Sequence, residues 1–142
     1  MTKRTKPSGF TMMEMVLVLA IIALLMGVAI KGMGGFLDRG RKTRALADME
    51  ALAMQLINYQ TDNLRLPTSA QGLKALVEKP STAPVPRNWS KYMQNELLDP
   101  FGSPFQYRMP AQKNAGGEYD LFSMGKDMQP DTDDDIGNWQ VR

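Results

Sequence analysis

From Met15 to Ile30 the chain reads MVLVLAIIALLMGVAI, sixteen residues without a charge, and adding Phe10 to Glu14 extends the stretch to 21 residues. That matches the roughly 20 residues a helix needs to cross a hydrocarbon core about 30 Å thick. A membrane-spanning helix over 10–30 is therefore predicted. Glu14 does not suit a plain anchor, because a carboxylate in lipid costs about 2.5–3.5 kcal/mol on insertion scales and so demands a specific partner. Ahead of the run, residues 1–9 (MTKRTKPSG) carry Lys3, Arg4 and Lys6, no acid, and the helix breakers Pro7 and Gly9, which makes a short basic leader. A secretory signal peptide begins in the same way. Its apolar core, however, is usually about 7–15 residues long and closes on a small-residue cleavage site, for which only Gly27-Val28-Ala29 is available. Positive charge alone leaves the orientation open, since Lys31, Arg39, Arg41, Lys42 and Arg44 follow the run and rival the leader.

Beyond the apolar run, Leu46, Met49, Leu52, Leu56 and Tyr59 recur at spacings of 3 or 4 within 43–63, the mark of an amphipathic helix with one buried stripe. The two segments are expected to form one helix over 10–64, weakened at Gly32, Gly34 and Gly35 by about 1 kcal/mol each relative to alanine, so that a bend is expected there. Leu66-Pro67 ends it. Thr68-Ser69-Ala70-Gln71 reads as a capping box opening a short helix, Ser69 to Glu78, closed by Pro80. Residues 80–104 hold five of the nine prolines and read as loop. Alternation of Phe105, Tyr107 and Met109, and of Tyr119, Leu121 and Ser123, predicts two strands joined by the turn-rich 113–117. The fold class is α+β: a long N-terminal helix packed on a small domain with a short helix and a β-hairpin or small antiparallel sheet. Its parts are a leader (1–9), a transmembrane helix (10–30), an amphipathic extension (31–64) and a globular region (65–142).

Composition limits the chemistry. At 142 residues the chain fits one domain, and without Cys or His it has no disulfide, no Cys or His zinc site and no imidazole-activated nucleophile. No catalytic residues are identified, and the reading is not an enzyme. A net charge of +2 is too balanced to make nucleic acid a default partner. Any metal would be bound by oxygen, as calcium and magnesium are. The segment MGKDMQPDTDDDIGNW carries Asp127, Asp131, Asp133, Asp134 and Asp135. Such carboxylates repel one another, so an ordered loop needs a cation and a disordered tail needs none. Ile136 and Trp139 argue against a pure tail, but the bidentate Glu of an EF-hand is missing, so pattern alone leaves calcium open. Trp89, Tyr92 and Tyr107 read as core or loop anchors. Arg39, Arg41, Lys42 and Arg44 read as ligands for anionic lipid or, should the chain polymerise, as partners for acids such as Asp48 and Glu50 on neighbouring copies. The twelve methionines read as soft packing residues.

The string KPSGFTMME (Lys6 to Glu14) followed by the apolar run resembles the class III signal of type IV pilins and type II secretion pseudopilins. That resemblance implies cleavage by a prepilin peptidase between Gly9 and Phe10, N-methylation of Phe10, and assembly through Phe10 and Glu14, whose carboxylate would pair with the amine of a neighbouring subunit. Leu66-Pro67-Thr68, Gln71-Gly72-Leu73, Asp99-Pro100-Phe101-Gly102, Ser123-Met124-Gly125-Lys126-Asp127 and Asp134-Asp135-Ile136-Gly137-Asn138-Trp139 extend it along nearly the whole chain, toward the major-pseudopilin family. Membership of that family would make the chain a subunit of a periplasmic filament that drives export of folded proteins. The runner-up is a type IV pilin for adhesion, motility or DNA uptake. Implied partners are further copies of the chain, minor pseudopilins, an inner-membrane assembly platform with its cytoplasmic ATPase, and the prepilin peptidase. The implied location is the bacterial inner membrane, single-pass, with the C-terminal region in the periplasm. The implied cofactor is Ca²⁺, held by the side chains of Asp127, Asp134 and Asp135 and the carbonyls of Met124 and Gln129. Asp131 and Asp133 are expected to be solvated charge. Lys31 stands where the family usually has a proline, and Met128 where it usually has a small residue.

Overall fold

A computed structural model describes residues 9–140, with the side chains of 29–34 excepted. The predicted leader, apart from Gly9, and the side chain of Lys31 lie outside the described residues. In order, the elements are helix α1 (Met12–Asn63), a 3₁₀ turn (Leu73–Leu76), strands β1 (Gln106–Arg108), β2 (Asp120–Ser123) and β3 (Ile136–Gly137), and a second 3₁₀ turn (Asn138–Gln140). The chain divides after Asp38 into two units, each described by itself.

In the first unit α1 starts on Thr11. Its carbonyl and its hydroxyl both accept the Glu14 N–H, at 3.1 and 3.2 Å, which satisfies one of the donors every helix N-terminus leaves over. All side chains from Phe10 to Val28 are exposed, around the whole circumference of the helix. Among the described residues no helix is long and apolar enough to cross a membrane. The side chains of residues 29 and 30, which end the apolar run, lie outside the described residues. The backbone is helical through residues 32–35, where the glycines predicted an interruption.

The second unit begins at Arg39 and contains the core. Its helical stripe is Ala45, Met49, Leu52, Leu56 and Tyr59, all buried, with Leu46 half-buried beside it. Each large apolar side chain buried this way contributes about 1.5–3 kcal/mol. The helix ends at Asn63 because Leu64 takes φ 60, which no helix can continue, while Asn63 Nδ2 donates to the Tyr59 carbonyl at 3.1 Å. The predicted capping box forms reciprocally: Thr68 N–H donates to Gln71 Oε1 (3.1 Å) and Gln71 N–H to Thr68 Oγ1 (3.2 Å). The helix it was expected to open, Ser69 to Glu78, shrinks to the 3₁₀ turn Leu73–Leu76, since Gly72 at φ 58 breaks the path directly after the box.

Residues 80–104 are irregular, as expected, save for a single bridge between Leu98 and Pro104. The expected aromatic anchors hold this loop down: Trp89 Nε1 donates to the Ala75 carbonyl at 2.7 Å and Tyr92 Oη to Asp62 Oδ2 at 2.9 Å. Tyr107 Oη donates to the Pro67 carbonyl at 2.8 Å. The three strands form one antiparallel sheet in the order β1-β2-β3. Gln106 faces Phe122, Tyr107 faces Leu121 and Arg108 faces Asp120, while β3 brings Ile136 opposite Ser123. Phe105, Leu121 and Ile136 close the core over the helical stripe. With β2 central and β3 beginning only at Ile136, the segment between them, 124–135, is held at both ends. Arg44 meets Asp48 one turn along its own helix, at 3.7 Å, and Arg41 lies 5.7 Å over the Phe101 ring. Asp48, expected as a partner for a basic residue of a neighbouring subunit, is thus paired within its own chain.

Candidate functional site

Loop 124–135 leaves the central strand through a buried relay. Asp99 Oδ1 accepts the N–H groups of Phe101 and Ser103 (3.0 and 2.8 Å), its Oδ2 accepts the Ser123 hydroxyl (2.5 Å), and Ser123 Oγ accepts the Gly125 N–H (3.2 Å). Gly125 is obligatory. It sits at φ 68, and a Cβ there would lie 2.5 Å from both the carbonyl and Oδ2 of Asp134.

Three of the five expected ligands converge on one hydroxyl. Thr132 Oγ1 lies 2.7 Å from Asp134 Oδ1, 3.2 Å from the Gln129 carbonyl and 3.4 Å from Asp127 Oδ1. One proton serves three acceptors, so this is an oxygen-rich point short of positive charge. Asp134 Oδ2 also accepts the N–H groups of Lys126 (2.7 Å) and Asp127 (3.1 Å), and Asp127 Oδ1 accepts that of Gln129 (2.9 Å). The Thr132 hydroxyl and the Asp127 N–H hold the Asp134 carboxyl below the ordinary aspartate value. Met124 is half-buried at the loop's start.

Asp135 takes another direction. Its side chain is 3% exposed, and its Oδ2 accepts Lys113 Nζ at 3.0 Å and the Asp131 N–H at 2.9 Å. Its Oδ1 is buried and accepts nothing among the described residues. No group of three or more acidic side chains is assembled as a metal holder among the described residues. Asp131, expected to be solvated charge, is instead an ion-pair partner. Arg108 grips it with two bonds (3.1 and 3.3 Å) and Lys113 Nζ adds a third at 3.2 Å. Those bonds, Arg108's first, hold its carboxyl below the usual range. Asp133 is exposed, as expected. Met128 adopts φ 56, the left-handed conformation that favours glycine, at the position where the sequence departs from a small residue.

Sequence reasoning missed Lys113 and Arg108, the cations of this loop, and also Thr132, Ser123 and the buried Asp120. Asp120 accepts the N–H groups of Gln112, Lys113 and Asn114 at 2.8–3.1 Å and so shapes the β1–β2 turn that carries Lys113. Only the Gly-rich turn followed by two acids, Glu118 and Asp120, gave a signal for it. At the other end of the chain, Phe10 and Glu14 are both exposed, but only Glu14 lies in the first turn of α1; Phe10 precedes the helix, which starts at Met12 and not at the expected residue 10, because Thr11 caps it.

Residues 33–139 match the family model described as type II secretion system protein G, and residues 4–30 match the prokaryotic N-terminal methylation motif. The type II secretion system core protein G of Dickeya chrysanthemi is 42% identical over 135 residues, covering 94% of this chain and 86% of its own length. That of Aeromonas hydrophila is 40% identical over 142 residues, covering 99% and 97%. The crystal structure of the major pseudopilin from the type 2 secretion system of enterohaemorrhagic Escherichia coli superposes with a TM-score of 0.70 at 40% identity, covering 75% of this chain and 93% of that one. With a family model that spans most of the sequence and relatives at this identity over nearly its full length, the chain belongs to the type II secretion system protein G family.

Proposed function

We propose that this chain is the structural subunit of the type II secretion pseudopilus, polymerising from the inner membrane into a periplasmic filament that drives export of folded proteins across the outer membrane. One observation carries the reading: the family match over 33–139 and the methylation motif over 4–30 share one chain, so an assembly segment and the system-specific domain are covalently joined. A type IV pilin would share the N-terminal segment, but the domain match favours secretion. In this reading the prepilin peptidase cleaves after Gly9 and methylates Phe10, and the apolar helix keeps the subunit in the inner membrane with its C-terminal region in the periplasm. The work is assembly and not catalysis. Copies of the chain pack through the exposed apolar surface of 10–28, while minor pseudopilins and an inner-membrane platform start and feed the filament. Because lipid already keeps that surface from water, close packing between helices and the pairing of Glu14 with a neighbour's amine supply the driving force. Cells overproducing the chain together with its secretion system are expected to release sheared filaments made of it, and deletion is expected to leave secreted proteins in the periplasm. Normal secretion without the chain would refute the reading.

Calcium belongs to the same proposal. The donors around Thr132 are hard oxygens, and the buried, unpartnered Oδ1 of Asp135 is an acceptor that a cation would satisfy. Asp127, Asp134 and Asp135, with the carbonyls of Met124 and Gln129, would hold it. The ion would neutralise the loop's crowded carboxylates and tie its two ends together. Calcium in excess is expected to raise the thermal midpoint of the chain by several degrees over chelator, and Asp127→Ala is expected to abolish that rise. Equal midpoints with and without calcium would remove the ion from the account.

A further inference from the structure

Lys113 lies on the β1–β2 turn, distant in sequence from the acidic loop, yet it supplies charge to the middle of it. Its Nζ is 3.0 Å from Asp135 Oδ2 and 3.2 Å from Asp131 Oδ1, and stands 5.0 Å over the Trp139 ring and 5.9 Å over that of Phe122. Two aromatic faces and two carboxylates leave the ammonium little room to move. Arg108 grips Asp131 from the other side, so within 131–135 Asp131 and Asp135 are already neutralised by the protein's own cations. Among the described residues Asp127 and Asp134 have only the Thr132 hydroxyl and backbone N–H groups. The two oxygens of Asp135 differ accordingly. Oδ2 is filled by Lys113 and the Asp131 N–H, and Oδ1 is buried and vacant of partners among the described residues.

We propose that Lys113 is a resident cation that sets the calcium affinity of the acidic loop, limiting Asp135 to one donor oxygen, Oδ1, and holding the 131–135 half folded when calcium is absent. The proposal rests on the calcium reading above. Its physical content is a trade. An ammonium next to a ligand stabilises the ion-free loop, because the carboxylates it pairs with no longer repel each other, and it opposes a divalent ion arriving at the same carboxylate. Removing the charge should therefore move two quantities in opposite directions, whereas a lysine that only packs against Trp139 would weaken both.

The test uses the full chain in detergent micelles, with calcium chloride as the probe, comparing Lys113→Gln, which keeps much of the stem and a donor, with Lys113→Arg, which keeps the charge. Lys113→Gln is expected to melt roughly 5 °C or more below the parent in chelator. It is also expected to bind calcium about tenfold more tightly by titration calorimetry, equivalent to ~1.4 kcal/mol. Lys113→Arg is expected to stay close to the parent in affinity. Equal or weaker calcium binding by Lys113→Gln, with the parent binding normally, overturns the role of Lys113 and leaves the calcium site standing. If neither the parent nor Lys113→Gln binds calcium, the site itself is refuted and this inference falls with it. Should Lys113→Gln not fold in chelator, its titration into calcium-loaded protein by competing chelator gives the same affinity, and an affinity change in Lys113→Arg as large as in Lys113→Gln would equally overturn the assignment to charge.

Discussion

Asp120→Asn is expected to destabilise the second unit by about 3–5 kcal/mol, a large part of the 5–15 kcal/mol that holds an ordinary domain together. The native carboxylate is fully buried and accepts three consecutive backbone N–H groups, from Gln112, Lys113 and Asn114. An asparagine of the same shape offers one acceptor oxygen and turns an NH₂ toward donors, so it loses charge-assisted bonds and adds a donor facing a donor. The midpoint is expected to fall by roughly 15–20 °C at neutral pH. A pH series gives the decisive signature. Burial alone would raise the Asp120 pKa, but the three N–H bonds and the nearby Arg108 outweigh it and hold the carboxyl below the ordinary aspartate value. A folded-state pKa lowered in this way gives stability that is fully present above the unfolded value, about 3.9, and is lost as pH falls through the folded value. The gap between wild type and Asp120→Asn should thus be widest near neutrality and close in strong acid. A gap under about 1 kcal/mol at pH 7 would show that the turn does not depend on this charge.

The consequences of Asp120 extend past its own turn, because the N–H it accepts from Lys113 fixes the residue whose ammonium reaches the acidic loop. That chain of contacts explains what could be read in advance. The helical stripe was legible because five apolar residues repeat at 3 and 4 along one element, and four of the five are fully buried. The β1–β2 hairpin was legible from alternation on both sides of a Gly-rich turn. The strand Ile136–Gly137 is too short for any period, and its pairing to β2 is decided by Trp139 packing on Phe122 and by the loop behind it. The short helix was overread because a capping box that does form precedes a glycine at φ 58. In the loop, composition located the acids but not their partners. Asp131 and Asp135 are separated by sequence from Lys113 by about the same distance as many residues they never touch, and only the sheet register brings the turn over them. Ion pairing across elements has no period and no local motif, so it is invisible to pattern reading.

Glu14→Ala is expected to leave leader cleavage intact and to impair filament assembly. In the proposed reading, cleavage acts on the peptide bond after Gly9, upstream of α1, and the helix start does not need the Glu14 side chain. What caps the helix is Thr11, whose hydroxyl and carbonyl accept the backbone N–H of Glu14, a bond alanine keeps. The carboxylate is left exposed in the first turn of α1, four residues after Phe10. In lipid, an isolated carboxylate and an isolated N-terminal ammonium are each disfavoured by several kcal/mol, and a contact between subunits that joins them removes both penalties together. Alanine relieves the first penalty in the monomer but leaves the neighbour's amine unpaired at every contact along the filament. A loss of about 2–3 kcal/mol per contact raises the critical concentration for assembly roughly 30- to 150-fold, a level that a membrane pool of subunits reaches only at extreme overproduction. The mass of the mature chain, starting at methylated Phe10, reports cleavage, and the sheared fraction reports assembly. Processed Glu14→Ala subunits that still build filaments at the wild-type level would mean that the amine finds no partner in Glu14, and that the apolar surface of 10–28 suffices for polymerisation by itself.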